Sequence, residues 1–224
     1  MTRTEVALLT TLFNLLLIGL FISRTDLAYF EQTVVIEDGL VETVSVVALV
    51  AASAVCGYRL FRLRGERSPL FLACVALLGA LFIFGAGEEI SWGQRIFGVE
   101  SPEFFQKNNS QAETNLHNLV LGGVRINKLV FGTILAIVVI SYVLILPQLY
   151  KRVARVRAWV DALAIPVPRP MHALVYILAY AIVALVHSKR GHGELLELTG
   201  CVLFLLIVLY PANRPVFLPK TTQG

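Results

Sequence analysis

The sequence predicts an all-α fold, a polytopic membrane helical bundle of six transmembrane helices with both termini cytoplasmic. Three observations carry that reading. Of 224 residues, 57% are hydrophobic and only 15% are charged, against roughly a quarter charged in a soluble domain. The mean hydropathy of +0.74 leaves too little polar surface to cover a soluble globule. Apolar runs recur at about 6–22, 42–58, 70–87, 129–149, 172–187 and 195–210. At 16–21 residues each these runs are close to the roughly 20 that a span needs, and in lipid a span satisfies its backbone hydrogen bonds by being helical. The whole chain, 1–224, is expected to form a single integral membrane domain.

The first run follows Met1-Thr2-Arg3 and has the outline of a signal peptide. No small-x-small cleavage site follows Phe21, so it is expected to be a retained helix. Asn14, in mid-run, is expected to hydrogen-bond a neighbouring helix.

Glu37-Asp38-Gly39-Leu40-Val41-Glu42 opens the second run, and Asp38, Glu42 and Ser45 share one face at i, i+4 and i+7. The third closes on Gly85-Ala86-Gly87-Glu88-Glu89-Ile90-Ser91-Trp92-Gly93-Gln94-Arg95. Continued as helix, this places Glu88 opposite Arg95 as a structural ion pair and leaves Glu89 available as a ligand or general base. The small Gly85, Ala86 and Gly87 allow another helix to approach these acids closely.

The connection 88–128 is polar, and short outer-surface helices are expected in it. Ser101-Pro102-Glu103 offers a helix start with proline at the first position, and Ser110-x-x-Glu113 a capping box. After the fourth run, residues 150–170 alternate Arg and Val around Trp159, an amphipathic stretch suited to anionic lipid. The last two runs are joined by His187-Ser188-Lys189-Arg190-Gly191-His192-Gly193-Glu194, in which Gly191-His192-Gly193 reads as a flexible turn.

Charge sets the orientation. With the N-terminus cytoplasmic, 12 of 19 basic residues fall on inner segments, as the positive-inside rule requires. Twelve of 15 acids, with His117, His187 and His192, then fall outside. The chemistry is expected to face outward. Net charge +4 and pI about 9.1 report the basic inner loops rather than nucleic acid. Cys56, Cys74 and Cys201 lie in apolar runs without C-x-x-C spacing and read as small packing residues.

Glu113 and His117 stand at i, i+4, a helical spacing that can bring carboxylate and imidazole to one metal ion, with Zn, Fe and Mn all admissible. The expected metal ligands are Glu89, Glu113, His117 and His192, with Glu42 or Glu197 as the catalytic base. Charge within a span is costly, so Glu197 is expected to have a partner in the bundle. A nucleophile elbow, a Walker loop and an H-E-x-x-H motif are all missing from the sequence.

The runs Glu37–Glu42, Gly87–Arg95 and Glu113-Thr114-Asn115-Leu116-His117-Asn118 together resemble a family of uncharacterised bacterial polytopic membrane proteins, over roughly residues 37–118. The resemblance implies a bacterial inner (plasma) membrane location and no particular activity. A looser likeness of layout links the chain to the alkaline ceramidase and adiponectin-receptor superfamily of seven-helix zinc hydrolases. That superfamily's Ser/His pair, Asp and His-x-x-x-His are not matched.

The leading expectation is a metal-dependent, hydrolase-like membrane enzyme acting on a lipid or lipid-linked substrate at the outer leaflet. Its alternatives are a non-catalytic subunit docking a membrane-protein partner through its acidic face, and an ion or proton pathway lined by Glu42, Glu88 and Glu197.

Overall fold

A computed structural model of the chain describes residues 1–36, 39–116, 118–122, 124–125 and 134–219. It is an all-α bundle. The helices are α1 (Arg3–Thr25), α2 (Leu27–Tyr29), α3 (Leu40–Leu63), α4 (Pro69–Glu89), α5 (Gln94–Phe97), α6 (Glu103–Asn108), α7 (Leu135–Ile140), α8 (Leu146–Arg152), α9 (Ala154–Ala162), α10 (Pro170–Val183) and α11 (Lys189–Leu209). A two-residue antiparallel hairpin pairs β1 (Val120–Leu121) with β2 (Val124–Arg125).

Four helices, α1, α3, α4 and α11, are long and apolar enough to cross a membrane. A fifth crossing is available if Ile137–Arg152 and α9, bent by 117°, count as one broken span. The bend has local causes. A π-turn at Ser141–Ile145 interrupts the helix just before Pro147, whose ring cannot sit in an unbroken α-helix. Val153 then adopts extended backbone between α8 and α9. The start of the expected fourth span, 129–133, lies outside the described residues. The expected fifth span is shorter than its apolar run, because α10 has 14 residues. At 1.5 Å per residue that is about 21 Å, less than the ~30 Å hydrocarbon core.

Side chains at the helix ends fix the packing directions. Thr2 and Glu5 form a reciprocal cap at the start of α1, and Glu5 also pairs with Arg169 at the start of α10. At the opposite ends, Arg24 donates to the Leu185 carbonyl at 2.6 Å. Helices α1 and α10 therefore run the same way. Arg59, late in α3, donates to the Val208 carbonyl late in α11, so these two are also parallel.

α4 runs against α3, with Gly79 facing Cys56 and Gly85 facing Leu49. The small Gly85 thus allows a close helix approach, as its sequence context implied. α11 is the central element: its apolar window is 56% buried, against 28% for α1 and for α4. Leu198, Leu206 and Ile207 are fully enclosed.

The bundle sorts its charges by end. Glu5, Arg59, Arg169 and Arg214 gather where α1 and α10 begin and α3 and α11 finish. Glu89 and Glu197 both lie near Cys201 towards the other, acidic end. At the basic end the C-terminal 3-10 turn Arg214–Phe217 is held by Arg59, stacked 4.2 Å over the Phe217 ring, and by Arg67, bonded to the Leu218 carbonyl at 3.0 Å. Asn213 joins this segment to α9 through Asp161 (3.1 Å), which also accepts from the Tyr150 hydroxyl. α9 forms as expected, with Trp159 exposed and Arg155 5.3 Å over its ring.

Three sequence expectations are corrected. Asn14 is exposed on α1 and makes no hydrogen bond to another helix among the described residues. Gly191-His192-Gly193 is not a flexible turn but part of the first two turns of α11, capped by Ser188, whose Oγ accepts from the Gly191 N–H at 3.0 Å. Gly191 is small for another reason: a Cβ there would lie 2.3 Å from Cε1 of the fully buried Phe30. Finally, 110–116 forms turns and bends rather than a helix. Ala112 sits at φ 56°, and Asn109 instead accepts from the Gln111 N–H at 2.9 Å, so the capping box does not form.

Candidate functional site at the acidic end

α4 stops at Glu89, and the chain reverses through Ser91 (φ 47°), Trp92 (φ 55°) and Gly93 (φ 75°). Two consecutive non-glycine residues in the left-handed region cost roughly 1–2 kcal/mol each, so other contacts must hold them there. Trp92 Nε1 donates to Glu88 Oε1 at 2.9 Å. Its indole packs on Phe84 and across Gly87, where a Cβ would lie 2.9 Å from the ring. Gly87 thus admits the Trp92 ring.

The loop 88–118 folds back over this reversal as a polar cap. The buried Glu113 accepts from Ser91 Oγ (2.6 Å), Arg95 Nη1 (2.5 Å) and Asn115 Nδ2 (3.1 Å). Glu88 uses its second oxygen to accept the Leu116 N–H at 2.6 Å. Gln94 Oε1 accepts from the Thr114 N–H and from Ser101 Oγ, both at 2.8 Å. The buried Asn109 and Asn115 are bonded to each other. Sequence reasoning missed the part played by Ser91, Gln94, Asn109 and Asn115. These contacts span up to about two dozen positions, and no local period reveals them.

A second group lies where α3, α4 and α11 meet. Glu89 of α4 and Glu197 of α11 both act electrostatically on the Cys201 thiol, and Ser45 of α3 is hydrogen-bonded to that thiol. The Ser45 hydroxyl donates to the Val41 carbonyl at 3.1 Å. Glu42, buried on α3, stands one turn before Ser45. Burial is graded across the group: Glu42 is buried, Glu89 half-buried and Glu197 exposed. The group is therefore open on one side. Cys201 was read as a packing residue, although its i, i+4 spacing from Glu197 places both on one face of α11.

Among the described residues, the expected ligands Glu89, Glu113 and His192 do not form one group. Glu113 is committed to the cap, and His192 Nε2 lies 2.7 Å from the Val186 carbonyl, beside the α10–α11 turn. Ser188 in that turn donates to Glu31 at 2.7 Å. Glu89 stands with Glu197 and Cys201. His117, like Glu37 and Asp38, lies outside the described residues. Among the described residues no three His, Cys, Asp or Glu side chains form a group that could hold a metal ion.

No family model matches the chain, and no curated protein or solved structure shows significant similarity to it. The function is read from the site alone.

Proposed function

We propose that this chain is a multi-pass membrane enzyme of hydrolase type, acting on a lipid or lipid-linked substrate at the outer leaflet of a bacterial inner membrane. In this reading it crosses six times, its basic end faces the cytoplasm, and its acidic end faces outward. The observation that carries it is the meeting of Glu89, Glu197, Ser45 and Cys201 from three helices, one turn from the buried Glu42. Carboxylates at the rim of an apolar bundle are side chains suited to general-base catalysis. Glu197, exposed at the rim, is the group that reaches a substrate, and Glu42 behind it is the alternative base. The 88–118 cap positions Glu89 by fixing the end of α4.

A divalent ion, Zn, Fe or Mn, belongs to the proposal as counter-charge to these acids. The described residues do not form a ready chelate, so no step is assigned to it. Metal analysis of protein purified without chelator tests this part. Near-stoichiometric metal, lost in Glu89→Gln and His117→Ala, is the expected result. Metal-free protein of undiminished stability would remove the ion.

A second reading, docking of a membrane-protein partner, draws on the exposed Ile96, Phe97, Val99 and Phe104 of the cap. Retention of a lipid-phosphatase or lipid-esterase activity in purified protein, abolished by Glu197→Gln, would separate the enzyme from the docking subunit.

A further inference from the structure

At the basic end, away from Glu89 and Glu197, a cavity of about 340 Å³ opens between the last turns of α3 and the C-terminal segment. Arg59, Arg62 and Arg214 line it together with Tyr58 and Phe217, and no acid is among its described lining residues. Arg59 is the fixed member. It is 8% exposed, bonded to the Val208 carbonyl and stacked on Phe217. Arg62 and Arg214 are exposed, and neither has a hydrogen bond or ion pair among the described residues. Arg214 is close enough to Arg59 for their positive charges to oppose each other.

The neighbouring cavity makes a useful contrast. Of about 420 Å³, it is lined by Arg67 with Glu66 and Asp161, and so carries its own counter-charges. Elsewhere at this end Arg169 is likewise answered by Glu5. Of these two cavities, the one at Arg59 has no acid among its described lining residues.

The geometry points to a binding site for a phosphate group in this cavity, carried by an anionic lipid headgroup or by a soluble phosphate ester. Guanidinium groups present paired N–H donors that match phosphate oxygens, and are the usual choice for such recognition. A bound phosphate would offset the repulsion between Arg59 and Arg214, and the exposed ring of Tyr58 suits the carbon atoms attached to it. The volume is at the small end of the range for ligand pockets, about 300–1,000 Å³, enough for a headgroup. The inference stands apart from the proposed enzyme and survives its failure.

The test uses the full chain in neutral detergent, titrated with dihexanoyl phosphatidylglycerol and, separately, with inorganic phosphate. Arg62→Gln/Arg214→Gln is the variant, because both side chains are exposed and Arg59 also holds the bundle together. Arg152→Gln/Arg155→Gln, which removes the same charge from the surface of α8 and α9, is the control. Binding of the lipid that weakens at least tenfold in the first pair and less than twofold in the control supports the site. If millimolar inorganic phosphate displaces the lipid, a soluble phosphate ester is a sufficient ligand; if it does not, the lipid headgroup is the ligand. Absence of binding by both probes, or an equal loss in the control pair, overturns the inference.

Discussion

Gly191 shows how much a single missing methyl group matters here. Its Cα lies against Phe30, a ring with no exposed surface and hence nowhere to move. Gly191→Ala should therefore lower stability by about 1–3 kcal/mol, the usual cost of overpacking, although alanine is the better helix former. Thermal unfolding in detergent measures it, and an unchanged midpoint would mean that Phe30 can retreat. Asn14 makes the opposite case. With no hydrogen-bond partner among the described residues, Asn14→Leu should leave the melting temperature of the isolated protein unchanged or raise it. A clear drop would place a hydrogen bond at Asn14 that the structure does not contain.

The element most dependent on tertiary contacts is the cap over α4. The Glu88-x-x-x-Trp92 spacing was legible as a pair on one face, and those residues do meet, although the helix ends between them. Arg95 was expected to answer Glu88, and its bond to Glu113 was not legible, because the 18 intervening positions follow no regular period. Glu113→Ala should leave Ser91 and Asn115 short of a buried acceptor and Arg95 without this partner, at about 1–3 kcal/mol for such a loss. Hydrogen exchange should quicken across 88–118 while α3 and α11 stay protected. Uniform acceleration over the whole chain would show that the cap and bundle unfold as one unit.

Across the whole molecule, charge is sorted lengthwise, with Arg59, Arg169 and Arg214 gathered at one end and Glu89 and Glu197 at the other. A reporter active only in the cytoplasm should work when fused within 59–68 and fail within 98–112. The reverse pattern would turn the carboxylate site toward the cytoplasm and the arginine cavity outward.

By itself the sequence determined the helical class, the apolar elements and which ends are acidic or basic. Each of these depends on composition and on a repeat of about 3.6 residues, both local properties of the chain. The convergence of Glu89 and Glu197 was partly legible too, since the acids stand at corresponding ends of their spans. What sits between them was decided by tertiary structure. Ser45 and Cys201 lie 156 positions apart and meet because α3 and α11 run parallel, with their register set by core side chains. The same holds for α10, which stops after 14 residues in a run that could have continued. Hydropathy says where a helix can lie in a membrane. Packing against neighbours says where it ends and which side chains it brings together.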